Sequence, residues 1–222
     1  MRREIPIYDI SSLKAFKKYD FLISRFGVYS QDHQHLHHPH RHNFYHIVLF
    51  TEGSGTHAID FENFPVRPWQ IYFMIPGQVH SWSFEGHVDG FVVNFSDTYF
   101  QSFLLLTEYL SKFSFFSGQA ADSVIDIPEG YQQEIKSLFE KILVTAHGQL
   151  SLGDDHVRAL LLDAFFTISG LVVKPAHQGT PAYNYTLLRN FQQLIDKNFK
   201  TMRLPREYAE LLYITPNHLN AL

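Results

Sequence analysis

Seven of the fourteen histidines of this 222-residue chain fall within fourteen residues, as His33, His35, His37, His38, His40, His42 and His46. Imidazole carries hydrogen bonds, exchanges protons near neutral pH and ligates zinc, iron, nickel and copper. In a strand, alternate side chains point to opposite faces, so residues of equal parity share a side. If the segment is extended without a bulge, His40, His42 and His46 point one way, and on a later run His80 and Trp82 share a face as well. Three chemistries fit these positions. His40, His42, His46 and His80 could ligate a divalent transition metal, they could line a pocket for an organic molecule, or they could be core histidines bonded to backbone. His33, His35, His37 and His38 precede the strand beside Pro39 and read as an exposed polar loop.

The elements that must position these side chains are short and β-rich. From about residue 19 to 95 the chain reads as the runs "YDFLISRFGVY", "FYHIVLF", "GTHAIDFE", "QIYFMI", "VHSWSF" and "VDGFVVNF", separated by turn-forming residues such as "TEGSG", "ENFP" and "IPGQ". Many short strands at close spacing predict a closed or sandwiched antiparallel fold. The 21 phenylalanines and 12 tyrosines support strands and exclude a disordered chain.

After Phe95 the apolar period changes from two to that of a helix. "SDTYFQSFLLLTEYL" predicts a short helix. "PEGYQQEIKSLFEKILVTAH" predicts a second, with Ile135, Leu138, Phe139 and Ile142 on one stripe. "DDHVRALLLDAFFTISGLVV" predicts a third, whose apolar face is wide enough to need cover from the sheet and from a second subunit. Residues 174–185 carry two prolines and a glycine and read as a linker. A further helix is expected over "TLLRNFQQLIDKNF".

The formal charge of −4 points to no polyanionic partner for the whole molecule. It is unevenly spread: residues 183–222 carry 5 Lys/Arg against 3 Asp/Glu, while the preceding residues carry 13 against 19. The absence of cysteine excludes disulfides and thiolate metal sites. "MRREIPIYDISS" lacks the apolar run of a signal peptide. The most apolar stretch, residues 160–173, is interrupted by Asp163 and falls short of the roughly 18 to 20 residues that span a bilayer. These features predict a soluble, cytoplasmic protein without membrane contact.

The ending "LPREYAELLYITPNHLNAL" (204–222) reads as a helix, a short turn and the start of another helix. Thr215 is the N-cap and Pro216 the first helical residue. That is the pattern of a helix-turn-helix, whose second helix enters the DNA major groove.

"HRHNFYHIVLFTEGSGTH" followed by "IPGQVHSW" resembles the two motif segments of the cupin superfamily, in the variant found in the sensor domains of AraC-type transcription regulators. His40 and His42 match the first two motif positions, His46 stands where a glutamate is expected, and Pro76, Gly77 and His80 match the second motif with one residue fewer between proline and glycine. Residues 186–222 are similar to the opening of the AraC-type DNA-binding domain. The resemblance implies an α+β protein: an N-terminal antiparallel β-barrel (cupin, double-stranded β-helix) over residues 1–95 with an arm at 1–18, a helical dimerisation segment at 96–173, the linker, and a helix-turn-helix domain that stops inside its first recognition helix and is therefore truncated. It implies a bacterial homodimer that senses a small molecule, a carbohydrate among the expected classes, and controls DNA binding, with no cofactor required and no catalysis.

Under that resemblance His42, His46, His80 and Trp82 line the ligand pocket, Asn217, Asn220 and Ala221 meet base edges, and His218, Leu219 and Leu222 face inward. Asparagine pairs bidentately with adenine, which gives the exposed asparagines a rationale. Two rival readings stand beside it. One is a metal-dependent cupin enzyme, an oxygenase or isomerase, with an all-histidine site. The other is a dimerisation module whose barrel is packed shut.

Overall fold

The computed structural model describes residues 5–13, 20–60, 62–101, 103–104, 109–172, 187–188, 190–191, 194–195 and 197–221. The linker expected at 174–185 and Leu222 lie outside these residues, as do residues 1–4 and 14–18 of the expected arm. The chain forms two compact units, Met1–Val172 and Val173–Leu222.

Among the described residues the first unit holds ten strands: β1 (Ile7–Tyr8), β2 (Phe21–Arg25), β3 (His40–His42), β4 (Tyr45–Glu52), β5 (Gly55–Ile59), β6 (Glu62–Val66), β7 (Gln70–Met74), β8 (Val79–Phe84), β9 (Asp89–Phe95) and β10 (Val124–Asp126). They form two five-stranded sheets, ordered β1-β3-β8-β5-β6 and β10-β7-β4-β9-β2. Every pairing is antiparallel except that of β1 with β3. With its helices the unit is α+β, and its sheets are those of a cupin-like jelly roll.

Parity decides what each face buries. In β4, Val48 and Phe50 enter the core between the sheets, beside Tyr72, Met74, Val92, Ile59 and Trp82. Their neighbours Ile47 and Leu49 enter a second core on the outer face, with Ile71, Phe73, Phe91 and Val93. The strands of this sheet are covered on both sides, which is why β4, β7 and β9 read as nearly continuous apolar runs rather than alternating ones. The other sheet covers only its inner face, so β8 alternates His80 and Trp82 inward with the more polar Ser81 and Ser83 outward.

The cover on the outer face comes from α2 (Glu129–His147) and α3 (Gly153–Leu171). Ile135, Phe139 and Ile142 of α2 and Val157, Leu161, Phe165 and Ile168 of α3 supply its apolar side. Among the described residues of 96–110 no α-helix is formed: residues 97–101 are turns, and Tyr109–Lys112 is a 3-10 helix. There Tyr99, Phe100, Leu110, Phe113, Phe115 and Phe116 plug the second core individually, so packing outweighs helical periodicity. The first run expected as a strand also changes at Phe26, where α1 (Phe26–Asp32) begins, followed by a 3-10 turn at Gln34–His37.

In the second unit, α4 (Pro205–Leu211) and α5 (Pro216–Asn220) enclose Tyr208, Ala209 and Leu219. Tyr213 takes the left-handed conformation (φ 55°) and the Ile214 amide donates to the Ala209 carbonyl at 3.0 Å, a Schellman ending that turns the chain sharply. Thr215 caps α5 by accepting from the His218 amide at 3.1 Å.

Candidate functional site

The inner faces of the two sheets bring together five histidines that are all but fully buried: His40, His42, His46, His57 and His80. Strand register makes the pairs. His40 lies opposite His80 across β3 and β8, His57 opposite Trp82 across β5 and β8, and His46 opposite Asn94 across β4 and β9. A slip of one residue in any of these pairings would turn its histidine to the other face.

The expectation of one extended segment through 40–46 is corrected. β3 ends at His42, residues 43 and 44 turn a corner, and β4 starts in the opposite sheet. His42 and His46 come close, at a ring-centroid distance of 4.9 Å, because the two sheets face each other.

The ligand atoms of His40, His42 and His80 all lie within 4.8 Å of one another. The Nε2 atoms of His40 and His42 are 2.9 Å apart. His40 Nδ1–H donates to the His38 carbonyl at 2.7 Å, which commits its Nε2 to a lone pair. His46 Nδ1–H donates to Asn94 Oδ1 at 2.6 Å, so its Nε2 also carries a lone pair. Asn94 in turn donates through Nδ2 to the Tyr29 hydroxyl at 3.4 Å. His80 Nδ1 sits 3.0 Å from His57 Nε2. The Nε2 atoms of His46 and His80 and Nδ1 of His57 are buried without a hydrogen-bond partner. Each such atom costs roughly 1 to 3 kcal/mol unless something binds it.

Burial holds the cluster neutral. It lowers the pKa of His40 to about 4 and of His46 to about 3. It drives those of His42, His57 and His80 well below the ordinary value, and the neighbouring imidazoles add to the effect. Neutral imidazole is the form that ligates metals.

A cavity of about 240 Å3, its open mouth included, adjoins the cluster and is lined by His40, His42, His46, His80 and Trp82 together with Phe26, Tyr29, Ser30, His33, Leu36 and His37. No carboxylate is among these lining residues. The stretch expected as an exposed polar loop is only partly so: His35 and His38 are exposed, whereas His33 is buried and bonds the Tyr29 carbonyl at 2.8 Å, and His37 contacts Ser30 at 2.9 Å.

Sequence reasoning missed His57, Asn94 and Tyr29. Asn94 left a signal, a polar residue inside the apolar run "FVVNF", since an amide is buried only where it has partners. His57 left little, because "GTHAI" alternates too weakly to identify its inner face. In the second unit Asn217, Asn220 and Ala221 are exposed and Leu219 is buried, whereas His218, expected to face inward, is exposed.

The chain belongs to the family of AraC-like ligand-binding domains, whose family description matches residues 22–167. Among solved structures it is similar to the AraC-like transcriptional activator CuxR, at 10% identity and a TM-score of 0.40, covering 79% of this chain and 58% of that one. It is also similar to ToxT from Vibrio cholerae, at 8% identity and a TM-score of 0.48, covering 92% of this chain and 74% of that one. The chain thus spans 58% of the CuxR chain. No curated protein matches it in sequence. No helix among the described residues is long and apolar enough to cross a membrane.

Proposed function

We propose that this chain is the effector-sensing part of a DNA-binding transcription regulator, and that its effector is a divalent transition-metal ion held by His40, His42 and His80. The observation that carries the reading is the convergence of three buried imidazoles within 4.8 Å, with His46 beside them presenting an unpartnered Nε2. A bound ion would satisfy lone pairs that otherwise cost stability, and its affinity for the bound arrangement over others supplies the switching energy.

The remainder of the reading follows the family. The regulator acts in the cytoplasm as a homodimer joined through α2 and α3, whose outer side exposes Val144 and Phe166. The residues of α5 and its end that meet base edges are Asn217, Asn220 and Ala221, exposed on the helix whose Leu219 faces inward. We read the chain as a regulator rather than an oxygenase or isomerase because it belongs to the family of AraC-like ligand-binding domains.

A small hydroxylated molecule, a carbohydrate included, is the second reading. Ser30, Tyr29 and His37 favour it, because they place polar groups on the cavity wall beyond the imidazoles.

The test is elemental analysis and titration of tag-free protein. We expect about one Zn2+ or Ni2+ per chain, lost in the His42→Ala/His80→Ala variant, and binding of the complete regulator to its promoter that changes with metal. A chain that binds no metal at micromolar concentration, but whose melting temperature rises with a sugar, establishes the second reading instead.

A further inference from the structure

We infer that His37 is the entry ligand of this centre, a role that rests on the metal reading above and adds how the buried site is reached. His37 takes the incoming ion at the cavity mouth, hands it inward and is absent from the final shell.

Burial locates the mouth. Of the eleven residues that line the cavity, nine are buried and only Ser30 and His37 also reach solvent. The opening therefore lies between α1, which carries Ser30, and the 3-10 turn Gln34–His37. The two side chains meet across it, with His37 Nε2 lying 2.9 Å from Ser30 Oγ. Phe84 stands edge-on to the His37 ring at 5.4 Å and braces it. An ion bound for His40, His42 and His80 has to pass this imidazole, because buried side chains close the remaining wall.

Histidines stand on either side of His37. Outward, His35 and His38 are exposed on the same stretch of chain. Partial burial, with His38 and His35 beside it, lowers the pKa of His37 and keeps the ring in the neutral form that ligates metals. Inward lies His40, whose pKa is lowered by burial and then by charge on His35 and His37, so His37 stands near enough to act on the triad. Among the described residues, none of His35, His37 and His38 belongs to a group of three converging donors. Each offers one bond, which suits a transit position, where an ion must bind strongly enough to enter and weakly enough to leave. The Ser30 hydroxyl is the resting partner of His37 Nε2 and gives way by rotation about one bond when the ion arrives.

A group used only in transit lowers the barrier equally in both directions, so its loss slows entry and exit alike and leaves the dissociation constant alone. Loss of a ligand from the final shell speeds exit instead. The experiment follows Zn2+ and Ni2+ association and dissociation by stopped flow with a metallochromic dye. It uses the unsubstituted, tag-free chain and the His37→Leu, His37→Ala, His37→Asp and Ser30→Ala variants, with near-ultraviolet circular dichroism reporting folding. His37→Leu and His37→Ala should each slow both rates about tenfold, with the dissociation constant held within about twofold. His37→Asp, which restores a single donor, should return the rates toward those of the parent. Ser30→Ala should speed both, because the Nε2 lone pair is then free at rest.

If alanine at 37 speeds entry while leucine leaves it unchanged, His37 is a steric plug and the inference is overturned. A faster exit with a weakened dissociation constant places His37 in the final shell and overturns it as well. Rates equal to the parent's in every His37 variant also overturn it and leave the metal reading standing. Ser30→Ala rates no faster than the parent's remove the resting contact from the mechanism. Should His37→Ala not fold, His37→Leu and His37→Asp decide the matter alone. A parent chain that binds neither ion overturns both readings.

Discussion

His57 lies flat on the indole of Trp82, with ring centroids 3.3 Å apart and planes 16° from parallel. The two are cross-strand partners on β5 and β8, and His57 also contacts His80, so the indole is joined to the histidine cluster by one intervening ring. Trp82 therefore already has a stacked neighbour on the ring surface that a sugar would use. It also lies 5.9 Å, centroid to centroid, from His80, within reach of any ion bound there.

That proximity makes Trp82 a reporter. In a Trp69→Phe variant, where Trp82 is the remaining tryptophan, paramagnetic Ni2+ or Cu2+ should quench the emission saturably at one equivalent, while Zn2+ changes it little. Stoichiometric metal binding with unchanged emission would place the ion outside the cluster.

Metal-free protein should lose stability as pH falls through 6.5 toward about 4. Above the unfolded value of about 6.5 the five buried histidines are neutral in both states and contribute no pH dependence. Below it the unfolded chain takes up protons that His40, lowered to about 4, and His46, lowered to about 3, do not accept while folded. The unfolded state then binds more protons, so stability falls with pH, by about 1.4 kcal/mol per pH unit for each histidine. Urea midpoints at successive pH values measure this. A midpoint constant from pH 7 down to about 4.5 would show that the imidazoles are not buried as described.

Gly90→Ala should destabilise the first unit by roughly 3 kcal/mol or more. Gly90 holds φ +154°, opposite Phe50 in the ladder, and a Cβ there would meet the Leu49 carbonyl oxygen at 1.9 Å. Denaturation monitored by circular dichroism reads the change, and a stability within experimental error of the parent would refute the close approach of β4 and β9.

Thr215→Ala should cost the second unit about 1 kcal/mol, because it removes the side-chain cap on the His218 amide. The loss should appear as faster amide exchange in α5. Exchange unchanged at His218 would mean that the cap contributes nothing in solution.

Phe166→Glu should shift the protein from dimer to monomer if α3 forms the subunit interface. Phe166 is 53% exposed on the side of α3 away from the sheet. Sedimentation velocity decides it, and a dimer that persists at low micromolar concentration moves the interface elsewhere.

Much of the architecture was legible in the chain. Short β-rich runs between turn residues located β4, β5, β7, β8 and β9, whereas β6 (Glu62–Val66) falls on "ENFP", which reads as a turn; the helical stripes of residues 128–147 and 154–173 located α2 and α3, because burial on one or two faces writes a period into the sequence. The run after Phe95 reads as a short helix opened by a Ser96 or Asp97 cap, yet Tyr99, Phe100 and Leu110 each fill a separate gap in the outer core. The switch to α1 at Phe26 was equally hidden, since Phe26 and Tyr29 serve the inner core from a helix as well as they would from a strand.

By itself the sequence determined that His46 and His80 lie in strands of a closed or sandwiched antiparallel fold, and that the tail carries a capped helix starting at Pro216. Composition and alternation suffice for that, because they depend on neighbours a few residues apart. Only the tertiary structure decided that the imidazoles of His40, His42, His46 and His80 meet, that His57 joins them and that Asn94 holds His46. Those contacts span 23 residues for His57 and His80 and 48 for His46 and Asn94. Their geometry is fixed by strand register and by the facing of two sheets, which no local pattern encodes.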